Sequence, residues 1–229
     1  MKSIAALTAF LVSGTLLGQN NTTQNTAAAF QWGQKATSSL SGSTSQYWFQ
    51  LAAERGRSYC VEAGSFEGSY GDKIFDPELV VLDANGTTAI ADDDDIREEP
   101  SKGLILSRAC WVHTLGTQNV FAKLFPHNMS FYTATVTLRF VETTLFCPWF
   151  FIAGDYNAFS LIRNTSSTSL PNVVVTWRGL DGAVAGSTTV TIPANGTVVL
   201  NARTFVNPAL FSNGSVEIAH AGSPDQLQG

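Results

Sequence analysis

Residues 75–95 have the sequence FDPELVVLDANGTTAIADDDD, and the predicted fold is built around them. Its apolar run, 79–82, has the length of one strand and is rich in branched residues, which is typical of a strand covered on both faces. Asn85 and Gly86 follow, and this pair tolerates the positive φ angles of a two-residue hairpin turn. Residues 87–91 would pair back on the first strand, so the stretch predicts a β-hairpin.

Four consecutive carboxylates, Asp92, Asp93, Asp94 and Asp95, end this hairpin. We expect them in a loop, where they repel one another unless water or a cation screens their charge. Calcium is the candidate ion, because it takes about six to eight oxygen ligands from flexible loops. The spacing is not that of an EF-hand, and a solvated acidic loop that ends the strand is the alternative interpretation.

The N-terminus has the order of a secretory signal peptide over residues 1–18. Met1 and Lys2 precede an apolar segment, 4–17, and small and polar residues follow it. This segment is too short to span a bilayer comfortably, and cleavage is expected near Gly18. No later segment reaches transmembrane length. These features predict a secreted or periplasmic protein with no membrane span.

The composition favours an exported protein built from strands and turns. Of the 229 residues, 14% are charged and 44% are hydrophobic, and the net charge is −5. An acidic chain with no basic stripe is a poor match for nucleic acid, and this length allows one large domain or two modest ones. Residues 19–39 are small and polar apart from Phe30 and Trp32, so they are expected to form a polar linker or an N-terminal arm.

Strand patterns begin near residue 40 and continue to residue 144. The predicted strands are 47–52, 58–63, 79–82, 87–91, 103–112, 119–125 and 132–141. The last is the clearest, because Tyr132, Val136 and Phe140 share one face and threonines occupy the other. Seven or eight short strands over about 105 residues predict an antiparallel β-sandwich.

Several motifs of this region follow one another in a known order. They are Tyr47-Trp48-Phe49, Ser58-Tyr59-Cys60-Val61, Asp76-Pro77-Glu78-Leu79, Gly86, the Asp92-Asp93 pair and the closing strand 132–140. Together they resemble the bacterial pre-peptidase C-terminal domain, a β-sandwich module of secreted proteases and other exported proteins. The resemblance covers residues 40–144.

The resemblance implies a module that is usually non-catalytic, and some members are similar to the calcium-dependent collagen-binding modules of secreted collagenases. Asp76 would open the central strand, and Asp92 and Asp93 would be the pair that follows the hairpin. The candidate calcium ligands are thus Asp76, Asp92, Asp93, Asp94 and Asp95. The chain departs from the family at residues 116–121 (GTQNVF), which replace the usual Gly-x-Tyr. No peptidase sequence precedes the module within these 229 residues.

A second unit is predicted over residues 147–229. Its strands are 159–163, 173–178, 187–192, 197–201 and 214–219, with turn residues between them. This spacing is typical of an immunoglobulin-like or fibronectin-like sandwich. Five strands are few for that fold, so the unit is a small sandwich, is completed by another chain, or belongs to a fragment. The predicted fold is therefore all-β, with two antiparallel β-sandwich modules in tandem.

Three cysteines, Cys60, Cys110 and Cys147, make an odd number in a chain expected outside the cytoplasm. One disulfide with one free thiol is the simplest arrangement. Cys60 and Cys110 both fall in predicted strands of the first module and are the favoured pair. A disulfide that includes Cys147, or three buried thiols, is the alternative.

Motifs of catalysis are missing from the sequence. The chain has no Gly-x-Ser-x-Gly elbow, no His-Glu-x-x-His, no P-loop and no Gly-x-Gly-x-x-Gly. His113, His127 and His220 are isolated and are interpreted as strand-end or loop residues. Asp76 and Glu78 lie two residues apart, on one face of a strand, where paired carboxylates would suit a glycosidase-type hydrolase. Solvated strand-end charges, or oxygen ligands for the same ion as the aspartate run, are the favoured alternatives.

Aromatic residues offer a second kind of ligand surface. Trp111, Trp149, Phe150 and Phe151 would suit stacking against a sugar ring. Three of the four lie in the run 147–152, where the two predicted modules meet. Packing across that junction is therefore the alternative interpretation.

Two functions of different classes remain. The first is an exported, non-catalytic binding or accessory protein, with calcium at the aspartate run and an extracellular protein or polysaccharide as its partner. The second is a secreted hydrolase that uses carboxylates of Asp76, Glu78 and residues 92–95. A structural segment of a larger cell-surface protein shares most features with the first. The missing motifs favour the first function, and no residue is predicted to be catalytic.

Overall fold

In the computed structural model, the described residues are 22–41, 45–65, 77–93, 104–126 and 133–229. The predicted signal peptide, together with Asp76, Asp94 and Asp95, lies outside these ranges. No helix within them combines the length and the apolar character that crossing a membrane requires.

Nine described strands of the first part of the chain form two sheets. They are β1 (Ala28–Phe30), β2 (Lys35–Ser41), β3 (Tyr47–Ala53), β4 (Ser58–Ser65), β5 (Pro77–Leu82), β6 (Ala89–Asp93), β7 (Leu104–Val112), β8 (Gln118–Pro126) and β9 (Thr133–Glu142). One sheet has the order β1-β3-β8-β5-β6 and the other has the order β2-β9-β4-β7. Of the described pairs in these sheets, β1 with β3 is parallel and the others are antiparallel.

The two sheets share one apolar core, because each strand places alternate side chains on the inner face. Val136, Leu138 and Phe140 of β9 are fully buried, as their alternation predicts. Across the core, the rings of Phe140 and Phe49 lie 5.7 Å apart between centroids. The prediction of an all-β fold is confirmed.

The expectation of a linker or arm over residues 19–39 is wrong from residue 28 onward. β1 joins one sheet by pairing with β3, and β2 joins the other by pairing with β9. Between them, Trp32 stacks on Tyr59 with ring centroids 4.2 Å apart. The Trp32 indole N–H donates to the Ala52 carbonyl at 2.6 Å. This segment therefore contributes to both sheets and to their core.

The connection between β5 and β6 is longer than the predicted two-residue turn. Residues 83–88 form it, and Gly86 takes the left-handed conformation (φ 68°) while its N–H donates to the Asp83 carbonyl at 2.9 Å. The Asp83 carboxylate accepts from the backbone N–H groups of Thr87 and Thr88 at 3.2 and 3.3 Å. These bonds, the one from Thr87 above all, hold the pKa of Asp83 below its ordinary value. One carboxylate thus organises a six-residue connection.

The second part of the chain forms two further sheets. Its elements are β10 (Leu145–Phe151), β11 (Phe159–Asn164), β12 (Leu170–Gly179), β13 (Val184–Ile192), β14 (Thr197–Asn201), the one-turn helix α1 (Ala202–Phe205), β15 (Asn213–Ala219) and β16 (Leu227–Gln228). The sheet orders are β10-β15-β12-β13 and β14-β11-β16. Trp177 lies fully buried between them and stacks on Phe205, with centroids 5.0 Å apart. The five predicted strands are present, whereas β10 and β16 are additional.

Buried apolar side chains of the described residues fall into two clusters, one within residues 28–140 and one within residues 150–227. In chain order, Thr143 and Thr144 come between the two clusters, and both form hydrogen bonds to Ser58 at the start of β4. The Thr143 N–H donates to the Ser58 carbonyl, and the Ser58 N–H donates to Thr144 Oγ1, both at 2.8 Å. Two clusters are what two modules would require, and the predicted division into 40–144 and 147–229 stays a prediction.

His220 is buried where these two parts of the chain meet. Its Nδ1 atom accepts a hydrogen bond from the Gly222 N–H at 3.2 Å, and its ring also bonds to the backbone of Thr143. Burial disfavours the charged imidazolium and lowers the pKa of His220 to about 4, from an ordinary value of 6.5. Below pH 6.5 the unfolded chain therefore binds a proton that the folded chain excludes.

We expect this histidine to make folding acid-sensitive. As pH falls from 6.5 to about 4, the free energy of unfolding should decline by about 3 kcal/mol through His220 alone. Denaturant unfolding at a series of pH values gives the free energy of unfolding of the wild type and of His220→Gln. The contribution of His220 is the extra decline of the wild-type values as the pH falls. Parallel curves for the two proteins over this pH range would contradict the prediction.

Candidate functional site

The structure places two of the predicted calcium ligands in a strand rather than in a loop. Asp92 and Asp93 end β6, where they pair with Val80 and Leu79 of β5. The Asp93 carboxylate accepts from the Arg108 backbone N–H at 2.6 Å. The expectation of a loop is therefore wrong for these two residues, because strand pairing continues to the middle of the acidic run.

The described residues do not by themselves assemble a calcium site. Within the described ranges, no three His, Cys, Asp or Glu side chains come together as a metal-binding group. The other three candidate ligands, Asp76, Asp94 and Asp95, lie outside those ranges. Calcium binding by the five aspartates stays a prediction.

A cleft of about 530 Å³ opens beside these aspartates. Asp92, Asp93 and Arg108 form one wall, and the loops 166–170 and 221–226 contribute the other. Many polar groups of the second wall already bind one another. For example, Gln226 Nε2 donates to Ser166 Oγ at 2.9 Å, and Gln226 Oε1 accepts from the Ser223 N–H at 2.9 Å.

The two described histidines are held by backbone atoms. His220 bonds to Gly222 and to Thr143, as described above, and His113 Nε2 lies 3.1 Å from the Gly116 carbonyl oxygen. Both rings are buried. Glu78 belongs to β5, opposite Phe125 of β8, while its predicted partner Asp76 lies outside the described residues. The proposed carboxylate pair of a hydrolase therefore stays a prediction.

The four aromatic residues singled out in the sequence separate into two pairs. Trp111 and Phe150 are buried in the first and second core clusters. Trp149 is 63% exposed, so packing across the junction is the wrong interpretation for this residue. Its ring lies nearly parallel to that of Phe151, at 16°, with centroids 5.9 Å apart.

A bulge in β10 explains why Trp149 points outward. The pairing of β10 with β15 shifts between Cys147 and Phe150, which leaves Trp149 out of the ladder. Phe150 then points into the core, and the next residue, Phe151, points away from it. Such a shift has no signal in the sequence beyond Pro148, which cannot donate to the ladder.

Tyr156 extends this exposed group, and the sequence did not indicate it. It is 69% exposed, and its ring centroid lies 5.7 Å from that of Phe151. We call Trp149, Phe151 and Tyr156 the aromatic surface. The loop that carries Tyr156 is polar, so a strand pattern could not have placed this residue beside β10.

Arg203 of α1 fixes the loop that carries Tyr156. Its Nε and Nη2 atoms donate to the Tyr156 carbonyl at 3.1 and 2.8 Å, and Nη2 also donates to the Gly154 carbonyl. The Ala202 N–H donates to the Ala158 carbonyl at 2.9 Å. The aromatic surface is therefore supported by hydrogen bonds from a neighbouring element, a form of preorganisation that lowers the entropy cost of binding.

The cysteines divide as one bonded pair and one thiol. Cys60 and Cys110 lie opposite each other on β4 and β7, and their sulfur atoms are joined in a disulfide. Cys147 is free and exposed on β10. Its sulfur lies 3.4 Å from the Trp149 carbonyl oxygen, at the start of the bulge.

Comparison with known proteins does not assign the chain to a family. No family model matches the chain, and no curated protein is significantly similar to it. The resemblance of residues 40–144 to the pre-peptidase C-terminal domain therefore stays a prediction.

Proposed function

We propose that this chain is an exported, non-catalytic binding or accessory protein whose ligand binds at the aromatic surface. The observation that carries the proposal is the exposure of Trp149 and Tyr156, 63% and 69%, in a group of three rings in contact. Large aromatic side chains cost free energy when water covers them. Trp and Tyr are also enriched among the residues that dominate binding interfaces.

The signal peptide pattern and the missing catalytic motifs support the same function. A secreted hydrolase is the second candidate, and the cleft beside Asp92 and Asp93 favours it because clefts of a few hundred cubic ångströms hold small ligands. A structural segment of a larger cell-surface protein is compatible with both. Binding at the aromatic surface separates the first function from the second, since Trp149 is not among the residues that line the cleft.

Co-sedimentation with insoluble extracellular polymers tests the proposed function. The purified protein should sediment with at least one of cellulose, chitin and fibrillar collagen, without releasing soluble products. Trp149→Ala should lose most of this binding. Phe159→Ala is the matched control, because Phe159 is 56% exposed but lies in β11, in the other sheet of this part of the chain.

Binding that is indifferent to Trp149→Ala would refute the aromatic surface as the ligand site. Release of soluble sugars or peptides that Asp92→Asn abolishes would favour the hydrolase instead. Unfolding midpoints of both aromatic variants should match the wild type, because each removed side chain is largely solvated.

We propose that residues 92–95 also bind calcium in this binding or accessory protein. If the run binds calcium, the ion stabilises the native state by about 2.7 kcal/mol when its free concentration is a hundredfold above the dissociation constant. We expect thermal unfolding to show a higher midpoint in millimolar calcium than in chelator, with no such rise in magnesium. The Asp93→Asn, Asp94→Asn double variant should lose the rise, and a full calcium response in that variant would exclude the run as the site.

A further inference from the structure

We infer that the ligand of the aromatic surface is a neutral polysaccharide, whose sugar rings stack on Trp149 and its neighbours. This inference rests on the proposed function and specifies its ligand. It depends on three properties of the surface: the kind of side chain exposed, the charge around it and its rigidity.

Trp149 and Tyr156 are exposed, and Phe151, whose ring contacts both of theirs, is half-buried. The planes of Trp149 and Phe151 lie within 16° of parallel, and the Tyr156 ring is inclined at 57° to that of Phe151. Aromatic faces carry the negative side of the ring quadrupole, and the C–H face of a pyranose presents weakly positive hydrogens. The ring centroids lie 5.9 and 5.7 Å apart, so a short stretch of one sugar chain can contact the exposed rings of Trp149 and Tyr156 together.

The charges at this surface favour a neutral polymer over an acidic one. Asp155 is exposed next to Tyr156, and its carboxylate can accept hydrogen bonds from sugar hydroxyls. The Arg203 guanidinium is directed to the carbonyls of Tyr156 and Gly154. With a net charge of −5 on the chain, a polyanion would be repelled at long range.

The rigidity of the surface suits a ligand that supplies few strong contacts. Arg203 acts as a positioning residue, because it bonds to the backbone on both sides of Asp155. A loop that is already ordered loses little entropy on binding. Weak stacking contacts with sugars can then sum to a useful affinity.

Affinity electrophoresis in native gels tests the inference. Gels would contain hydroxyethylcellulose, galactomannan or laminarin as neutral polymers, and alginate or polygalacturonate as acidic ones. We expect at least one neutral polymer to retard the wild type. Trp149→Ala should weaken that binding at least about tenfold, Trp149→Phe should restore part of it, and Phe159→Ala should behave as the wild type.

The outcomes separate this inference from the proposed function. Retardation by acidic polymers alone that depends on Trp149, or no retardation by any polysaccharide while collagen binding depends on Trp149, overturns the neutral polysaccharide and keeps the aromatic surface as a ligand site. Retardation that Trp149→Ala leaves unchanged overturns both. No retardation by the neutral polymers overturns the inference, and circular dichroism of each variant verifies that it is folded.

Discussion

Replacing Cys60 and Cys110 by alanine is expected to lower the free energy of unfolding by about 4 kcal/mol. The two cysteines are 50 residues apart in the chain, so their disulfide closes a long loop and restricts the unfolded ensemble. It also joins β4 to β7 at a directly opposed pair of residues, with Cys60 fully buried. Losing the disulfide therefore gives the unfolded chain more conformational freedom, and it also removes a buried covalent link between β4 and β7 from the native state.

Thermal unfolding of the double variant measures this effect. For a chain of this length, a loss of this size lowers the midpoint by roughly 8–16 °C. Cys147→Ala is the matched control, because Cys147 is an exposed free thiol, and it should stay within about 0.5 kcal/mol of the wild type. A double variant that unfolds like this control would mean that the disulfide adds nothing to stability.

Glu62→Ala is expected to lower the free energy of unfolding by about 3–5 kcal/mol. Glu62 lies at the centre of the β2-β9-β4-β7 sheet, directly opposite Arg108 on one side and Arg139 on the other. Its carboxylate is 1% exposed and lies 2.8 Å from Arg108 Nε and 3.1 Å from Arg139 Nη2. The Arg108 side chain is itself only 8% exposed. Removing the carboxylate leaves a buried guanidinium without this countercharge, which is the costly way to break an ion pair.

Glu142→Ala provides the comparison for Glu62. Glu142 is the last residue of β9 in the same sheet. It pairs with Arg57 at 3.0 Å, but both side chains are partly solvated, at 24% and 31% exposed. Its loss should cost about 1 kcal/mol or less. Denaturant unfolding at neutral pH gives both values, and equal costs for the two variants would refute the role of burial at Glu62.

The strands that the sequence predicted are those with a clear alternation and a full complement of large apolar residues. β9 and β14 show this most plainly, since their predicted bounds, 132–141 and 197–201, agree with Thr133–Glu142 and Thr197–Asn201. β1 and β2 were missed because Ala28–Phe30 is very short and Lys35–Ser41 (KATSSLS) has a single large apolar residue. Their pairing depends on strands distant in the chain, which local patterns do not encode.

The site was predicted only in part, for a similar reason. The run 147–152 pointed to an aromatic cluster, but alternation alone could not show that a bulge turns Trp149 outward while Phe150 enters the core. Tyr156 belongs to the surface through a loop that Arg203 holds from another element. Likewise, the position of Asp92 and Asp93 within β6 follows from a connection organised by Asp83, which lengthens the turn and moves the strand toward the aspartates.

Hydroxyl-radical footprinting read by mass spectrometry shows directly whether the ligand covers the aromatic surface. The purified protein would be oxidised alone and in the presence of the polymer that retards it most strongly. We expect protection of Trp149, Phe151 and Tyr156, with Phe159 oxidised equally in both samples. Protection confined to the cleft loops 166–170 and 221–226, with the three aromatic residues still oxidised, would contradict this expectation and move the ligand to the cleft beside Asp92 and Asp93.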